Sequence, residues 1–207
     1  MKKMRFMLVV AMLAMVTAVS AQMNLGVKGG VNMSNFYGDE LDDKNVKIGF
    51  HIGLAADYDF AYNSAIQTGL FFTTKGAKYT SSFGDASGEL TVSPMYLQIP
   101  VHYAYKIDVS PGTRVVLHAG PYAAYGVGGS RKLNVGEWST EWDVDKIFGD
   151  GARQYNAFDA GLGLGVGFEF GPLLLDLGWD MGLVNISNVD NENVKNQNAY
   201  LSVGYRF

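Results

Sequence analysis

Residues 158–170 read Phe158-Asp-Ala-Gly-Leu-Gly-Leu-Gly-Val-Gly-Phe-Glu-Phe170, a strict alternation of apolar residues with glycine or acidic residues. Successive side chains of a β-strand point to opposite faces, so the apolar residues share one face. The stretch ends on two aromatic rings two residues apart, and three other segments end in the same way. The eight rings are Tyr58, Phe60, Tyr103, Tyr105, Phe168, Phe170, Tyr205 and Phe207. Rings at the ends of strands are typical of the boundary between lipid and water, so they predict a transmembrane β-barrel with these rings at the membrane interface.

The same two-residue period predicts eight strands, and their spacing predicts how they are connected. The strands are predicted over 24–34, 47–60, 64–77, 92–107, 114–128, 155–170, 173–184 and 197–207. Short links near 61–63, 108–113 and 171–172 alternate with long polar links over 35–46, 78–90, 129–153 and 185–196. Tight periplasmic turns and long outer loops are typical of outer-membrane barrels. The fold class is therefore all-β, an eight-stranded antiparallel up-and-down transmembrane β-barrel.

Alternation alone does not fix which face is inside, because a soluble periplasmic ligand-binding barrel has the same period with its apolar face inward. The second face decides the matter. It carries columns of glycine, such as Gly161 to Gly167 in steps of two, where a water-facing surface would carry mixed charges. Small residues on one strand leave room for long ones on its neighbours inside a narrow lumen. We therefore expect the apolar face outward.

Pro100 and Pro121 fall inside predicted strands. Proline has no N–H to donate to the ladder and is found at edges or bulges. We expect a local bulge at each proline, with the strand order otherwise intact.

The N-terminus has the pattern of an export signal. Three basic residues precede an apolar run over 6–19, which is too short to span a bilayer as a helix, and small residues follow at 19–21. We expect a signal peptide over 1–21 and a single barrel domain over 22–207; the alternative, an N-terminal anchor, lacks a stop-transfer pattern.

The mature segment would carry 13 basic residues against 20 acidic ones, a net charge near −7, so nucleic acid is not an expected partner. Because the chain has no cysteine, an exported domain must be stabilised by extensive backbone pairing rather than disulfides.

Ionisable and amide side chains on the glycine face predict a hydrogen-bonded network in the lumen, because charges at membrane depth need partners. Among them we expect Arg114 to pair with Glu169. Eight strands enclose just enough space for side chains, so a plugged lumen is favoured and a narrow pore for ions or small solutes is the alternative. The predicted lumen network comprises Lys28, His51, Asp57, Gln98, His102, Arg114, His118, Asp159, Glu169, Asp176 and Asp180.

No catalytic, cofactor-binding or metal site is predicted. If the turn between the fourth and fifth strands centres on Ser110, His102 and His118 lie directly opposite each other, but spacing supplies no further ligand for a metal. Ser34 and Asp159 match His51 by level only, and the G-x-S-x-G pattern is absent. We therefore expect no enzyme activity and no cofactor.

The longest predicted loop, 129–153, holds Trp138 and Trp142. Exposed aromatic residues in an outer loop can mark contact with a partner, or they can pack against the barrel rim or extend the strands. Packing is the favoured interpretation, and partner contact is the alternative.

Three short segments resemble the PorT-like outer-membrane β-barrel family of Bacteroidetes. They are Leu25-Gly-Val-Lys-Gly-Gly-Val-Asn-Met-Ser-Asn35, Tyr96-Leu-Gln-Ile-Pro-Val101 and Leu201-Ser-Val-Gly-Tyr-Arg-Phe207. The resemblance implies an outer-membrane location. It also implies insertion by the barrel assembly machinery, which recognises a C-terminal strand that ends in an aromatic residue. It implies no enzyme activity. The expected role is structural, or an interaction through outer loops that is secretion- or envelope-associated, with outer-membrane lipid and a protein at those loops as partners.

Overall fold

The computed structural model describes residues 23–38, 44–83, 86–135, 138–143, 147–149, 154–189 and 193–207. The predicted signal peptide over 1–21 lies outside them. Among the described residues, no helix has the length and apolarity needed to cross a membrane. The strands, in chain order, are β1 (Met23–Gly38), β2 (Lys44–Ala61), β3 (Ser64–Thr74), β4 (Ala77–Phe83), β5 (Ala86–Ser110), β6 (Thr113–Val135), β7 (Trp138–Asp143), β8 (Phe158–Phe170), β9 (Leu173–Gly182) and β10 (Val194–Arg206).

These ten strands occupy eight positions around a closed antiparallel barrel, and each such position is called here a stave. β3 and β4 share one stave, because both pair with β2 on one side and with β5 on the other. β7 and β8 share another, because both pair with the same edge of β6. The ring closes where β1 pairs with β10, from Gly26↔Arg206 to Gly38↔Val194. The predicted eight-stranded barrel is confirmed.

The apolar face of the barrel points outward. Phe50, Leu162 and Val203 are 51%, 53% and 61% exposed, while the alternate residues of the same strands are mostly buried or half-buried. A barrel built for water would enclose these side chains. The soluble periplasmic barrel is therefore the wrong alternative for this chain.

Tight turns join the strands at one end of the barrel, called here the short-turn end. β2 and β3 are joined at 62–63, β5 and β6 at 111–112, and β8 and β9 at 171–172. Gly112 and Gly171 have positive φ values of 76° and 58°, which glycine adopts without strain. The Gly171 N–H donates to the Gly112 carbonyl oxygen over 2.8 Å, so two of the turns are tied together.

At the opposite, long-loop end, two segments predicted as loops are largely strands. Residues 78–90 form most of a hairpin between β4 and β5, paired from Ala77↔Val92 to Phe83↔Ala86. Within 129–153, β6 continues to Val135 and pairs with β7. Residues 78–80 and 88–91 are half-buried on both faces of the strands, so these strands lack the alternation by which the membrane-spanning strands are predicted.

The expected bulges at Pro100 and Pro121 are wrong. The β5–β6 register is the same at Pro100↔Tyr122 and Tyr103↔Ala119, and the β6–β8 register passes through Pro121↔Leu162 unchanged. Instead, the ladder is interrupted near Pro100 without a change of register. The β3–β5 pairing goes from Thr68↔Val101 directly to Phe71↔Gln98. The Thr68 hydroxyl donates to the Pro100 carbonyl oxygen over 2.8 Å and supplies a hydrogen bond beside the gap.

Candidate functional site: the barrel lumen

The lumen at the short-turn end is filled by a charged cluster, called here the short-turn cluster. Lys106 Nζ lies 2.7, 3.4 and 3.7 Å from carboxylate oxygens of Asp59, Glu169 and Asp57. The cluster holds three cations and three carboxylates, so its formal charges balance. Its members are Asp57, Asp59, Lys106, Arg114, Glu169 and Arg206.

Glu169 connects the two arginines of the short-turn cluster. Its Oε2 lies 2.8 Å from Arg114 Nη2, so the predicted Arg114–Glu169 pair is present. Its Oε1 lies 2.6 Å from Arg206 Nη2. Both contacts are ion pairs, so the single carboxylate of Glu169 is shared between two guanidinium groups. The lumen network predicted from the sequence does not include Asp59, Lys106 and Arg206, although their strand phase places all three on the inward face.

A second charged site closes the lumen toward the long-loop end. Lys75 Nζ lies 3.1 Å from Asp159 Oδ2, and the two side chains are 1% and 0% exposed. This pair is called here the loop-end ion pair. The ammonium also lies 4.3 Å from the Tyr122 ring centroid and 5.6 Å from that of Tyr96, within the range of cation–π attraction. The same Asp159 oxygen accepts from Tyr122 and Asn196 over 3.3 and 3.0 Å.

A cap of apolar side chains covers the loop-end ion pair. Phe148 packs edge-on against Tyr96 at 5.2 Å, and its ring lies so close to Gly126 that a Cβ there would come within 2.3 Å. Ile147, the preceding residue, is fully buried, and Ile186 is buried in a separate apolar cluster with Phe36, Ala77 and Val194. The segment 147–149 therefore folds into the mouth of the barrel.

The central lumen holds the three histidines. His51 Nδ1 lies 2.7 Å from Asn32 Oδ1, and its Nε2 lies 2.7 Å from Ser202 Oγ. His102 and His118 stack with their Nδ1 atoms 3.0 Å apart. His118 Nε2 lies 3.0 Å from Asp176 Oδ1, and Lys28 Nζ lies 3.1 Å from Asp176 Oδ2.

The predicted direct opposition of His102 and His118 is wrong. His118 pairs with Ala104, because the turn is centred on Pro111-Gly112 and a register shift falls between Asp108 and Ser110. His102 lies two residues before Ala104 on β5, and the two imidazole rings meet diagonally. Diagonal neighbours remain within reach of aromatic side chains.

Glycines make room for these long side chains, as predicted. A Cβ at Gly165 would lie 2.6 Å from His118 Nε2, and a Cβ at Gly178 would lie 2.3 Å from the Tyr200 hydroxyl. A central cavity of about 70 Å³ remains between the two charged sites. That volume is room for roughly five water molecules at about 10–15 Å³ each.

All eleven residues of the predicted lumen network line the interior. Nine are buried, whereas Lys28 and Arg114 are half-buried. The main residue that sequence reasoning missed is Lys75, which is in phase with inward-facing Ala65 and Thr73 on the same stave.

The residues considered for catalysis do not come together. Ser34 Oγ lies 3.4 Å from the Lys47 carbonyl oxygen, and Asp159 binds Lys75, so neither contacts His51. Within the described part of the chain, no group of three or more His, Asp or Glu side chains is placed to hold a metal ion.

The eight predicted interface rings are all exposed on the outer surface near the short-turn end. Phe60 and Tyr103, on different strands, lie 6.3 Å apart between ring centroids. Phe168 and Phe170 also stack at 6.3 Å. Trp138 and Trp142 lie on β7 and pair with Val135 and Arg131, but their side chains lie outside what the structure describes.

A closed barrel with an apolar exterior, an aromatic belt and a charged interior defines a class, the transmembrane β-barrels. The sequence model of the family described as "Outer membrane protein beta-barrel domain" matches residues 18–188. The chain belongs to this family and is an outer-membrane protein.

Several solved structures resemble the chain at low identity. Ail, the attachment invasion locus protein of Yersinia pestis, is 16% identical, with 90% of this chain and 99% of that chain covered and a TM-score of 0.43. Neisserial surface protein A is 14% identical, with 88% and 97% covered and a TM-score of 0.45. OprG of Pseudomonas aeruginosa is 14% identical, with 89% and 95% covered and a TM-score of 0.41. Similarity at this level does not establish a shared function. No curated protein matches the chain at a significant level.

Proposed function

We propose that this protein is a plugged, non-conducting and non-enzymatic outer-membrane barrel, with a structural or interaction role through its outer end. The observation that carries the proposal is closure of the lumen at two levels, by the short-turn cluster and by the loop-end ion pair under its cap. An ion crossing the barrel would have to displace both sets of buried charge pairs, and breaking buried pairs is costly.

Conductance in planar bilayers tests this proposal. We expect the refolded protein to give no steady single-channel steps, while a porin prepared in the same detergent gives them and serves as the positive control. The alternative function is a narrow pore, favoured by the polar central cavity. Regular steps of uniform size from the wild-type protein would favour the pore and contradict the plug.

The interaction role is proposed for the outer hairpins, with a protein as partner. β4, β5, β6 and β7 form a sheet at the long-loop end, and β7 carries Trp138 and Trp142. We expect cross-linking in intact outer membranes to capture a partner with the wild type and less of it with Trp138→Ala and Trp142→Ala. Trp179→Ala, on the lipid-facing surface, is the control and should leave capture unchanged. Equal capture by all variants would favour the packing role of the two tryptophans.

We further propose that the chain is a PorT-like barrel of Bacteroidetes type, secretion- or envelope-associated, exported by a signal peptide over 1–21. Insertion by the barrel assembly machinery fits the closing strand β10, which carries Tyr205 beside Phe207. N-terminal sequencing of the membrane-inserted protein is expected to begin at Gln22. A sequence that begins at Met1 would contradict the signal peptide and favour an anchor.

A further inference from the structure

Asp180 is a buried carboxylate that takes no part in the ion pairs of the described residues. Only 3% of Asp180 is exposed, and its Oδ2 accepts a hydrogen bond from Gln98 Nε2 over 2.8 Å. Lys28 is paired with Asp176 and Lys75 with Asp159. An ionised carboxylate that is buried without a cation is strongly destabilising, so Asp180 is neutralised either by a proton or by a bound cation.

The hydrogen-bond directions of the two stacked histidines follow from their neighbours. Asp176, held by Lys28, is an acceptor, so His118 donates its Nε2–H to it. The Nδ1 of a neutral His118 is then an acceptor, and His102 must donate its Nδ1–H across the 3.0 Å contact. His102 Nε2 is left with a lone pair.

His102 Nε2 and Asp180 Oδ1 both lie against the Gly163 backbone. A Cβ built on Gly163 would lie 2.7 Å from Asp180 Oδ1 and 2.8 Å from His102 Nε2. Both side chains border the central cavity, as do those of Gln98 and Asn198. His102 Nε2, Gln98 Oε1 and Asn198 Oδ1 are buried, and none has a hydrogen-bond partner among the described residues. Each of these three residues is more than nine-tenths buried.

We propose that the central cavity binds one small monovalent cation of the ammonium class between Asp180 and His102. Asp180, His102, Gln98 and Asn198 line the central cavity and offer a carboxylate, an imidazole lone pair and two amide oxygens, all of them acceptors. Ammonium brings a positive charge and four N–H donors, which match this set. Hard metal cations prefer an all-oxygen shell and are matched less well by the imidazole nitrogen.

The first test compares salts on the refolded protein in detergent micelles. Thermal unfolding is measured in ammonium, potassium and tetramethylammonium chloride at equal concentration, since the last ion lacks N–H donors and is too large for the site. We expect the midpoint to be highest in ammonium. A ligand that binds only the folded state lowers the unfolding constant by 1 + [L]/Kd, so raising ammonium from Kd to one hundred times Kd gives roughly a 50-fold decrease.

Matched variants locate the site. Gly163→Ala places a methyl group against both Asp180 Oδ1 and His102 Nε2, so it should abolish the ammonium effect. Gly167→Ala is the control on the same strand and face, where an added Cβ meets its nearest neighbours at an ordinary 3.5 Å, and it should retain the effect. Asp180→Asn removes the charge and should make the three salts equivalent. If Asp180→Asn does not fold, the two glycine variants decide.

A ¹⁵N-labelled ammonium ion held in the cavity should also give its own ¹H–¹⁵N signal, with contacts to the Gly163 protons. Three outcomes would overturn the proposal: equal midpoints in all three salts in the wild type, an ammonium effect that survives Gly163→Ala, or an equal effect of potassium. The first would mean that Asp180 is neutralised by a proton instead. None of these outcomes depends on whether the barrel conducts.

Discussion

Lys75→Met is expected to lower the free energy of unfolding by about 3–5 kcal/mol, the cost of breaking a buried ion pair from one side. The substitution leaves the Asp159 carboxylate buried without its ammonium and removes the cation–π contacts to Tyr122 and Tyr96. Urea unfolding in lipid vesicles, followed by tryptophan fluorescence, measures the change.

Lys78→Met is the matched control. Lys78 Nζ lies 3.2 Å from Glu89 Oε1, but both side chains are about one-third exposed, and exposed pairs contribute about 0–1 kcal/mol. The double variant Lys75→Met with Asp159→Leu should recover much of the loss, because replacing a whole buried pair by apolar residues is often neutral. If Lys75→Met and Lys78→Met have the same small effect, the ion pair does not stabilise the closed mouth.

Leu164→Arg is expected to cost about 2–4 kcal/mol in a bilayer, the range for an arginine on the lipid face near the midplane. Leu164 is 54% exposed and lies in the middle of the outward apolar face of β8. The measurement is the free energy of unfolding in lipid vesicles.

Val109→Arg provides the comparison for this prediction. Val109 is 65% exposed beside the turn at 111–112, where the cost of an arginine falls to about 0–1 kcal/mol. Equal costs at the two positions would mean that lipid does not surround Leu164, which would contradict the outward orientation of the apolar face.

The sequence predicts the membrane-spanning part of this fold well because lipid imposes a strict pattern there. On β8 each outward residue must be apolar and each inward residue must fit the lumen, so the period of two identifies the strand and its faces. The alternating link lengths then identify the two ends of the barrel. The Arg114–Glu169 pair was predictable for the same reason, since both residues lie at the ends of neighbouring strands.

The remaining features depend on pairing that no local pattern reveals. One extra residue near Asp108 moves the β5–β6 register, so the contact of His102 with His118 could not be placed from spacing alone. Lys75 follows the inward phase of β3 but lies beside Gly76, where a φ of 124° ends the regular strand. Asp159, the partner of Lys75, lies on β8, which does not neighbour β3 in the barrel. The closure of the barrel brings the two residues together, and the sequence pattern does not predict that contact.

The seam between β1 and β10 sets how this chain can fold. Gly26 pairs with Arg206, so the two partners are separated by almost the full length of the polypeptide. The backbone hydrogen bonds on this edge of β1 and of β10 therefore form only when both strands are present. Contacts of such high sequence separation make folding slow, because the entropy of bringing the ends together is lost before the pairing is gained. A nascent chain without β10 would present β1 and β9 as bare templates for neighbouring molecules, so escort to the membrane before self-association is a requirement of the topology itself.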